Sequence, residues 1–293
     1  MRYLDLLELL TRRLGSAPLH YGHGAATAQD EAWYLLAALS DIEPASLPLN
    51  QPVPALLAEQ ALQLVEERLR TRKPMAYLTG AAWFYGLPLH CSEQVLVPRS
   101  PIGELLHGGL ESWLQAPPRH IVDVGTGSGS LAITAALCFP HSRVTALDLA
   151  DAALALAARN IERHDLQRRV RVERSDGLSA CAGRRYDLIL SNPPYVPWQE
   201  YLTLPPEYWH EPRLALLSPD NGLAFTRGLL REAGRHLTED GVLVVEVGNS
   251  EYQLMTRWPD FPAEWPEFQH GGGGVFIIGA RELAQWRQAH PAL

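Results

Sequence analysis

His120-Ile-Val-Asp-Val-Gly-Thr-Gly-Ser-Gly129 reads as a short buried strand running into a glycine turn, and Leu131 to Cys138 behind it reads as a helix. A strand, then Gly125, Gly127 and Gly129, then a helix puts backbone N–H groups and close-approach glycines at the carboxyl edge of a sheet. Ligands of open α/β sheets bind at that edge. Taken alone, the loop is equally a tight structural turn. The surrounding sequence repeats the alternation. Further strands are expected at Arg143 to Leu147, Val170 to Glu173, Tyr186 to Leu190, Val242 to Val247 and Val275 to Ile278. Helices fit at Ala152 to His164 and Leu223 to Leu237. This order predicts an α/β domain with a parallel, doubly wound sheet and a closing antiparallel hairpin.

Upstream the pattern changes twice. Residues 1–75 read as a small helical domain: Leu4, Leu6, Leu7 and Leu10 recur near helical spacing, Thr27 can cap a segment through Trp33, Leu36 and Leu39, and Leu56 to Arg72 is amphipathic and stops before Pro74. Residues 76–100 are aromatic and β-branched, broken by Gly80, Gly86-Leu-Pro88 and Cys91-Ser-Glu93, which suits a hairpin linker. The main domain is expected over 101–293, entered through Pro117-Pro118.

Composition narrows the class. A chain of 293 residues can bury one large core and a smaller one. Cys91, Cys138 and Cys181 are widely spaced with no Cys-x-x-Cys pair, so disulfides and structural zinc are not expected and a cytoplasmic setting is. The eleven histidines lack ligand spacing, so no metal is expected. Charges interrupt the first apolar residues, which argues against a signal peptide, and no apolar stretch is long enough to cross a bilayer. The net charge of −8, with no long basic run, suits a basic protein partner better than independent nucleic-acid binding, although ordinary solubility explains it too.

Two further features give the glycine loop a chemistry. Asp148 ends the second strand about 20 residues beyond the glycines, where a carboxylate can accept the ribose hydroxyls of a nucleotide-like cofactor, or cap the helix that follows. Asp176, after the third strand, could reach an adenine amino group or simply be solvated. Asn192-Pro193-Pro194-Tyr195 closes the Tyr186 to Leu190 strand. The Asn192 side-chain oxygen and the Pro193 carbonyl can both accept protons from one planar NH2 group, the prolines hold the turn rigid and supply no donors, and Tyr195 can lie on the flat face. A nicotinamide enzyme shares the glycine loop. The Gly-x-Gly-x-Gly spacing and the Asn-Pro-Pro-Tyr turn favour S-adenosylmethionine and methyl transfer to a planar nitrogen. The candidate site is Asp123, Gly125, Thr126, Gly127, Ser128, Gly129, Asp148, Asp176 and Asn192 for the cofactor. For the acceptor and catalysis it is Asn192, Pro193, Pro194 and Tyr195.

These motifs resemble the protein N(5)-glutamine methyltransferases over nearly the whole chain. The resemblance implies a helical N-terminal domain for substrate recognition, a hairpin and a Rossmann-like catalytic domain. It also implies Asn192 to Tyr195 as the glutamine-binding motif, Gly125 to Gly129 as the cofactor loop and Asp148 as the ribose ligand. The linker Val97-Pro98-Arg99-Ser100-Pro101-Ile102 departs from the Pro-Arg-Pro-Glu-Thr-Glu of the release-factor branch. Together with Tyr21-Gly-His-Gly24, His210-Glu211-Pro212 and Glu246-Val-Gly-Asn-Ser250, it is similar to the branch modifying the third protein of the large ribosomal subunit. Departures at Ser218 to Gly222 and at Gly273 touch loop shape only. An N6-adenine methyltransferase and a non-enzymatic assembly factor remain as alternatives.

Other residues have two readings each. Trp198, Tyr201, Tyr208 and Trp209 could form a lid or pack the loop. Arg99 could meet a carboxylate of cofactor or partner, or form a surface ion pair. Glu211 reads as a solvated loop carboxylate, with a substrate-positioning role as the alternative. Gly271 to Gly274 is a turn or bulge before the last strand.

Overall fold

The computed structural model describes residues 1–293 apart from His270 and Ala292. The chain forms two compact units. One comprises Met1–Arg99 with Leu204–Pro212, and the other Ser100–Thr203 with Arg213–Leu293.

The first unit holds α1 (Tyr3–Gly15), α2 (Ala28–Ser40), α3 (Ala55–Thr71), the short α4 (Met75–Thr79) and a hairpin of β1 (Ala81–Phe84) and β2 (Leu87–His90). Thr27 starts α2 by accepting the Asp30 amide at 3.1 Å, the expected cap. The helix ends where Asp41 turns left-handed at φ 51°. Of the leucines expected there, Leu6, Leu7, Leu10 and Leu36 are buried in the core, whereas Leu4 and Leu39 are only partly covered; Leu14 and Leu35 complete it, at about 1.5–3 kcal/mol of apolar transfer each. Tyr85 and Gly86, at φ 47° and 81°, turn the hairpin with the positive-φ pair that matches strand twist.

A second, polar core sits beside the leucines. Arg68 is buried and donates from Nε to Glu31 Oε1 at 2.6 Å, from Nη1 to the Arg72 carbonyl at 2.9 Å and from Nη2 to the His20 carbonyl at 3.1 Å. The remaining charge comes from the 204–212 segment. Glu207, fully buried, lies 3.4 Å from Arg68 Nη1 and 2.8 Å from Arg72 Nη2, and accepts the His20 amide at 3.0 Å. Glu211 from the same segment takes the fork of Arg99, with both bonds at 2.6 Å, and the Val97 amide at 3.1 Å. Glu211 is therefore not the solvated loop carboxylate expected from sequence, nor is Arg99 a surface cation in a loose pair. A buried carboxylate needs a full set of donors, and this one has them.

The second unit opens with α5 (Ile102–Leu106) and continues β3 (His120–Val124), α6 (Ser130–Cys138), β4 (Arg143–Asp148), α7 (Asp151–Arg163), β5 (Val170–Arg174) and β6 (Tyr186–Ser191). After the short α8 (Trp198–Tyr201) and α9 (Arg213–Leu216) come α10 (Ala224–His236), β7 (Leu237–Glu246), α11 (Glu251–Arg257), β8 (Val275–Gly279) and α12 (Ala280–Ala289). The strands lie in the order β5-β4-β3-β6-β7-β8, all parallel except β8, which runs antiparallel to β7. Ile121 to Val124 are each no more than 1% exposed, so β3 is covered on both faces, as a parallel sheet requires. Strand β7 begins five residues earlier than expected, because Leu237 pairs with Tyr186 before a register shift. Among the described residues no helix is long and apolar enough to cross a membrane.

Candidate active site

The strand order reverses between β3 and β6, and open α/β sheets bind ligands outside the carboxyl ends at such a switch point. The glycine loop follows β3 and the Asn-Pro-Pro-Tyr turn follows β6. Asp123 pairs with Leu190 across those two strands, so the sheet itself brings the two motifs to one edge. Ser191, the last residue of β6, donates its hydroxyl to the Val124 carbonyl at 2.7 Å and ties the two strand ends together.

The loop is built on left-handed glycines. Gly125, Gly127 and Gly129 have φ of 76°, 55° and 84°, a region where a side chain is strained. At Gly129 an added Cβ would also lie 3.3 Å from Ala157 on α7, so this glycine lets the two helices approach. At Gly125 it would meet nothing within 4 Å, which leaves space beside the loop. The amides of Gly125 and Thr126 are spent on the Leu147 carbonyl at 2.9 and 2.8 Å. Ser128 is buried at the turn, and its carbonyl accepts from the Asn160 side chain at 2.8 Å. Asp123 is buried beneath the loop and accepts the Thr126 hydroxyl at 2.6 Å; burial pushes its carboxyl up to about 7.

Asp148, at the end of β4, is half-buried. Its Oδ2 accepts the Gly127 amide at 2.9 Å and its Oδ1 the Ala150 amide at 3.0 Å. It thus fixes the loop and helps start α7, and each oxygen keeps a lone pair for a ribose hydroxyl. Asp176 follows β5, the strand next to β4, and is exposed at the same edge.

Behind β6, Pro193 is buried while Asn192, Pro194 and Tyr195 are partly exposed. Tyr195 is anchored from several sides. Its hydroxyl donates to Glu246 Oε1 at 2.9 Å, and its carbonyl accepts the Ser250 hydroxyl at 2.7 Å. An added Cβ on Gly248 would strike the Tyr195 ring at 2.5 Å, and one on Gly222 would strike the Tyr195 carbonyl at 2.2 Å. Glu246, the last residue of β7, is itself buried and takes the Ser100 hydroxyl on Oε2 at 2.6 Å. Sequence reasoning missed Glu246 and Ser100 as supports of the turn. The only local signal was a carboxylate closing an apolar strand, where a buried partner has to be found.

Of the four loop aromatics, Tyr201 is buried, with Trp198 stacked on it at 5.9 Å. Tyr208 packs on His23 at 4.5 Å with Arg99 over its ring at 5.4 Å. Trp198 and Trp209 remain exposed.

A family model described as Methyltransferase small domain matches residues 108–203, the stretch carrying both motifs. Two solved structures share the fold: a methyltransferase from Pyrococcus furiosus and the hMettl16 catalytic domain in complex with MAT2A 3'UTR hairpin 6. The first has a TM-score of 0.51 at 22% identity and covers 73% of this chain and 97% of that one. The second has a TM-score of 0.53 at 16% identity, covering 84% and 91%. The second unit is thus a Rossmann-like methyltransferase domain. By sequence the chain belongs to the ribosomal protein uL3 glutamine methyltransferase family. It is 39% identical over 276 residues to the member from Francisella tularensis subsp. tularensis, covering 92% of this chain and 88% of that relative. It is 42% identical over 283 residues to the member from Xylella fastidiosa, covering 96% and 90%. The methyl donor is S-adenosylmethionine. The residues at the sheet edge fit it, since Gly125 leaves room beside the loop and Asp148 presents a carboxylate held in place by two amides.

Proposed function

We propose that the chain transfers a methyl group from S-adenosylmethionine to the side-chain amide nitrogen of a glutamine in ribosomal protein uL3. The Asn192 side-chain oxygen and the Pro193 carbonyl accept the two amide protons. The Asp148 carboxylate would hold the ribose hydroxyls, the Asp123 to Gly129 loop would hold the rest of the cofactor, and Asp176 would accept from the adenine amino group. The observation that carries this reading is the shared edge: the Asn-Pro-Pro-Tyr turn ends the strand that pairs with the glycine-loop strand.

An amide nitrogen is a weak nucleophile because its lone pair is delocalised into the carbonyl. Two accepted hydrogen bonds fix the NH2 group in one plane and raise the electron density at nitrogen. Aligning two reactants in this way supplies up to about 7–11 kcal/mol. Tyr195, held by Glu246 and Ser250, lies against the flat face of the amide and limits its rotation. S-adenosylmethionine supplies the methyl on a sulfonium. The amide nitrogen, oriented by Asn192 and Pro193, would take that methyl from the sulfonium and release one proton to solvent. A strong general base is not required. The helical unit grips the protein substrate.

The test is transfer of labelled methyl to undermethylated large-subunit proteins and, in parallel, to release factors. Wild type should label uL3, and Asn192→Ala should lose about 100-fold or more in rate while melting like wild type. Label on a release factor would move the reading to the sister branch. Label on uL3 undiminished by Asn192→Ala would refute the role of the turn.

A further inference from the structure

At the amino edge of the same sheet, β3, β4, β5 and β6 begin around a cleft of about 360 Å3, and six arginines line it: Arg143, Arg168, Arg169, Arg171, Arg184 and Arg185. In a chain of net charge −8 this is a marked local reversal. Only one carboxylate among the described residues reaches these guanidinium groups. Glu173 pairs with Arg184 at 2.8 Å and lies 3.7 Å from Arg171. Arg169 and Arg185 donate from Nη1 to the backbone carbonyls of Ala136 and Leu237, each at 2.6 Å, which holds their guanidinium heads without cancelling their charge. Arg143 and Arg168 are exposed, and among the described residues no carboxylate lies within ion-pair distance of either. The nearby Asp187 carboxylate is occupied by the Arg119 and His120 amides at 2.8 and 2.9 Å.

Holding so many like charges together costs free energy through mutual repulsion, and a polyanion relieves it. We propose that this cleft binds the phosphate backbone of RNA. The cations come from three separate segments, the start of β4, residues 168–171 and residues 184–185, and so offer several phosphate-binding points spread along a cleft rather than one focused anion pocket. Arginine suits phosphate, since its planar fork bonds two oxygens at once. Among the described residues that line the cleft there is no glycine to form a nest around a single phosphate. A strand of five residues separates it from the methyl-transfer edge by ~16 Å, so RNA held here leaves that edge open. On the reading of the glutamine site given above, the protein substrate belongs to a ribosome, where RNA is the surrounding polymer. The binding test itself uses no methyl transfer, so the two readings fail separately.

The experiment is fluorescence anisotropy of a labelled RNA duplex of roughly 16 base pairs with the full chain, titrated between roughly 50 and 200 mM salt. Binding should weaken with salt. The double variant Arg143→Ala/Arg168→Ala should weaken it further and lower the log–log salt slope by about 2, one for each phosphate that an arginine no longer neutralises. Both positions are exposed and outside the catalytic edge, so the variant should methylate isolated protein substrate like wild type. Three results would each overturn the proposal: no RNA binding at low salt, an unchanged slope in the double variant, or displacement of RNA by stoichiometric inorganic triphosphate. Binding of poly-glutamate as tight as that of RNA would assign the cleft to acidic protein instead.

Discussion

Replacing Glu211 with glutamine should cost about 3 kcal/mol at neutral pH, and the cost should fade in acid. Burial alone would push this carboxyl up, but the Arg99 fork, with its two bonds of 2.6 Å, and the His23 ring at 3.5 Å outweigh it and hold it at about 2, against an ordinary 4.5. A difference of roughly 2.5 pKa units is worth about 3 kcal/mol of stability. Burial pushes His23 below its usual value, so it meets Glu211 as a neutral ring and adds little of that charge. Arg99 keeps some access to water, which places the loss at the lower end of the 3–5 kcal/mol for halving a buried pair. The pKa is depressed in the folded state. The stabilisation is therefore complete above the ordinary carboxylate pKa and disappears as pH falls through the folded value. Urea unfolding of wild type and Glu211→Gln should differ by about 3 kcal/mol near neutrality, a melting shift of roughly 6–12 °C. The two curves should converge between pH 4.5 and about 2. A gap below about 1 kcal/mol at neutral pH, or one that stays constant into acid, would refute the ion-pair account.

The remaining predictions concern the sheet edge. Asp148→Ala should weaken S-adenosylmethionine binding by about 1.5–3 kcal/mol, measured by calorimetry, because it removes a charged acceptor and frees the Gly127 and Ala150 amides; unchanged affinity would remove Asp148 from the cofactor site. Tyr195→Phe removes the hydroxyl that donates to Glu246 Oε1. It should lower kcat with little effect on cofactor affinity, and a loss confined to cofactor binding would contradict a role on the acceptor side. Asp123, with its carboxyl raised to about 7 by burial, works in the opposite sense to Glu211: stability is lost as pH rises from the ordinary 3.8 to about 7, by about 4 kcal/mol. Asp123→Asn should therefore gain on wild type across that window in denaturation curves, and parallel curves would show that Asp123 ionises normally.

The catalytic sheet was legible because its signals are local. His120 to Val124, the three glycines and Asp148 stand within 30 residues, and their periodicity and spacing state their own geometry. Asn192 to Tyr195 was legible for the same reason, as a rigid turn ending an apolar strand. The polar core of the first unit was not. Glu207 finds Arg68 across 139 residues and Glu211 finds Arg99 across 112, and a carboxylate in a proline-bearing loop gives no local sign that its partner is buried elsewhere. Glu246 was hidden similarly, since its partners Ser100 and Tyr195 are 146 and 51 residues away. The start of β7 was missed because Thr238 to Gly241 is polar, and only pairing with β6 identifies it as strand.

Because Leu204–Pro212 completes the first unit, the order of synthesis matters. A ribosome making this chain releases Met1–Arg99 with Arg68 and Arg72 still lacking the Glu207 carboxylate, and Arg99 lacking Glu211. At about 5–20 residues per second, the wait for those two glutamates is roughly 5–20 s, long by the standards of helix formation. During that interval the leucine core can collapse but the charged half cannot close, so the nascent segment is held incomplete until translation has passed β6 and the Asn-Pro-Pro-Tyr turn. A chain truncated anywhere before residue 204 would lack both buried carboxylates, Glu207 and Glu211, that Arg68, Arg72 and Arg99 meet in the finished unit.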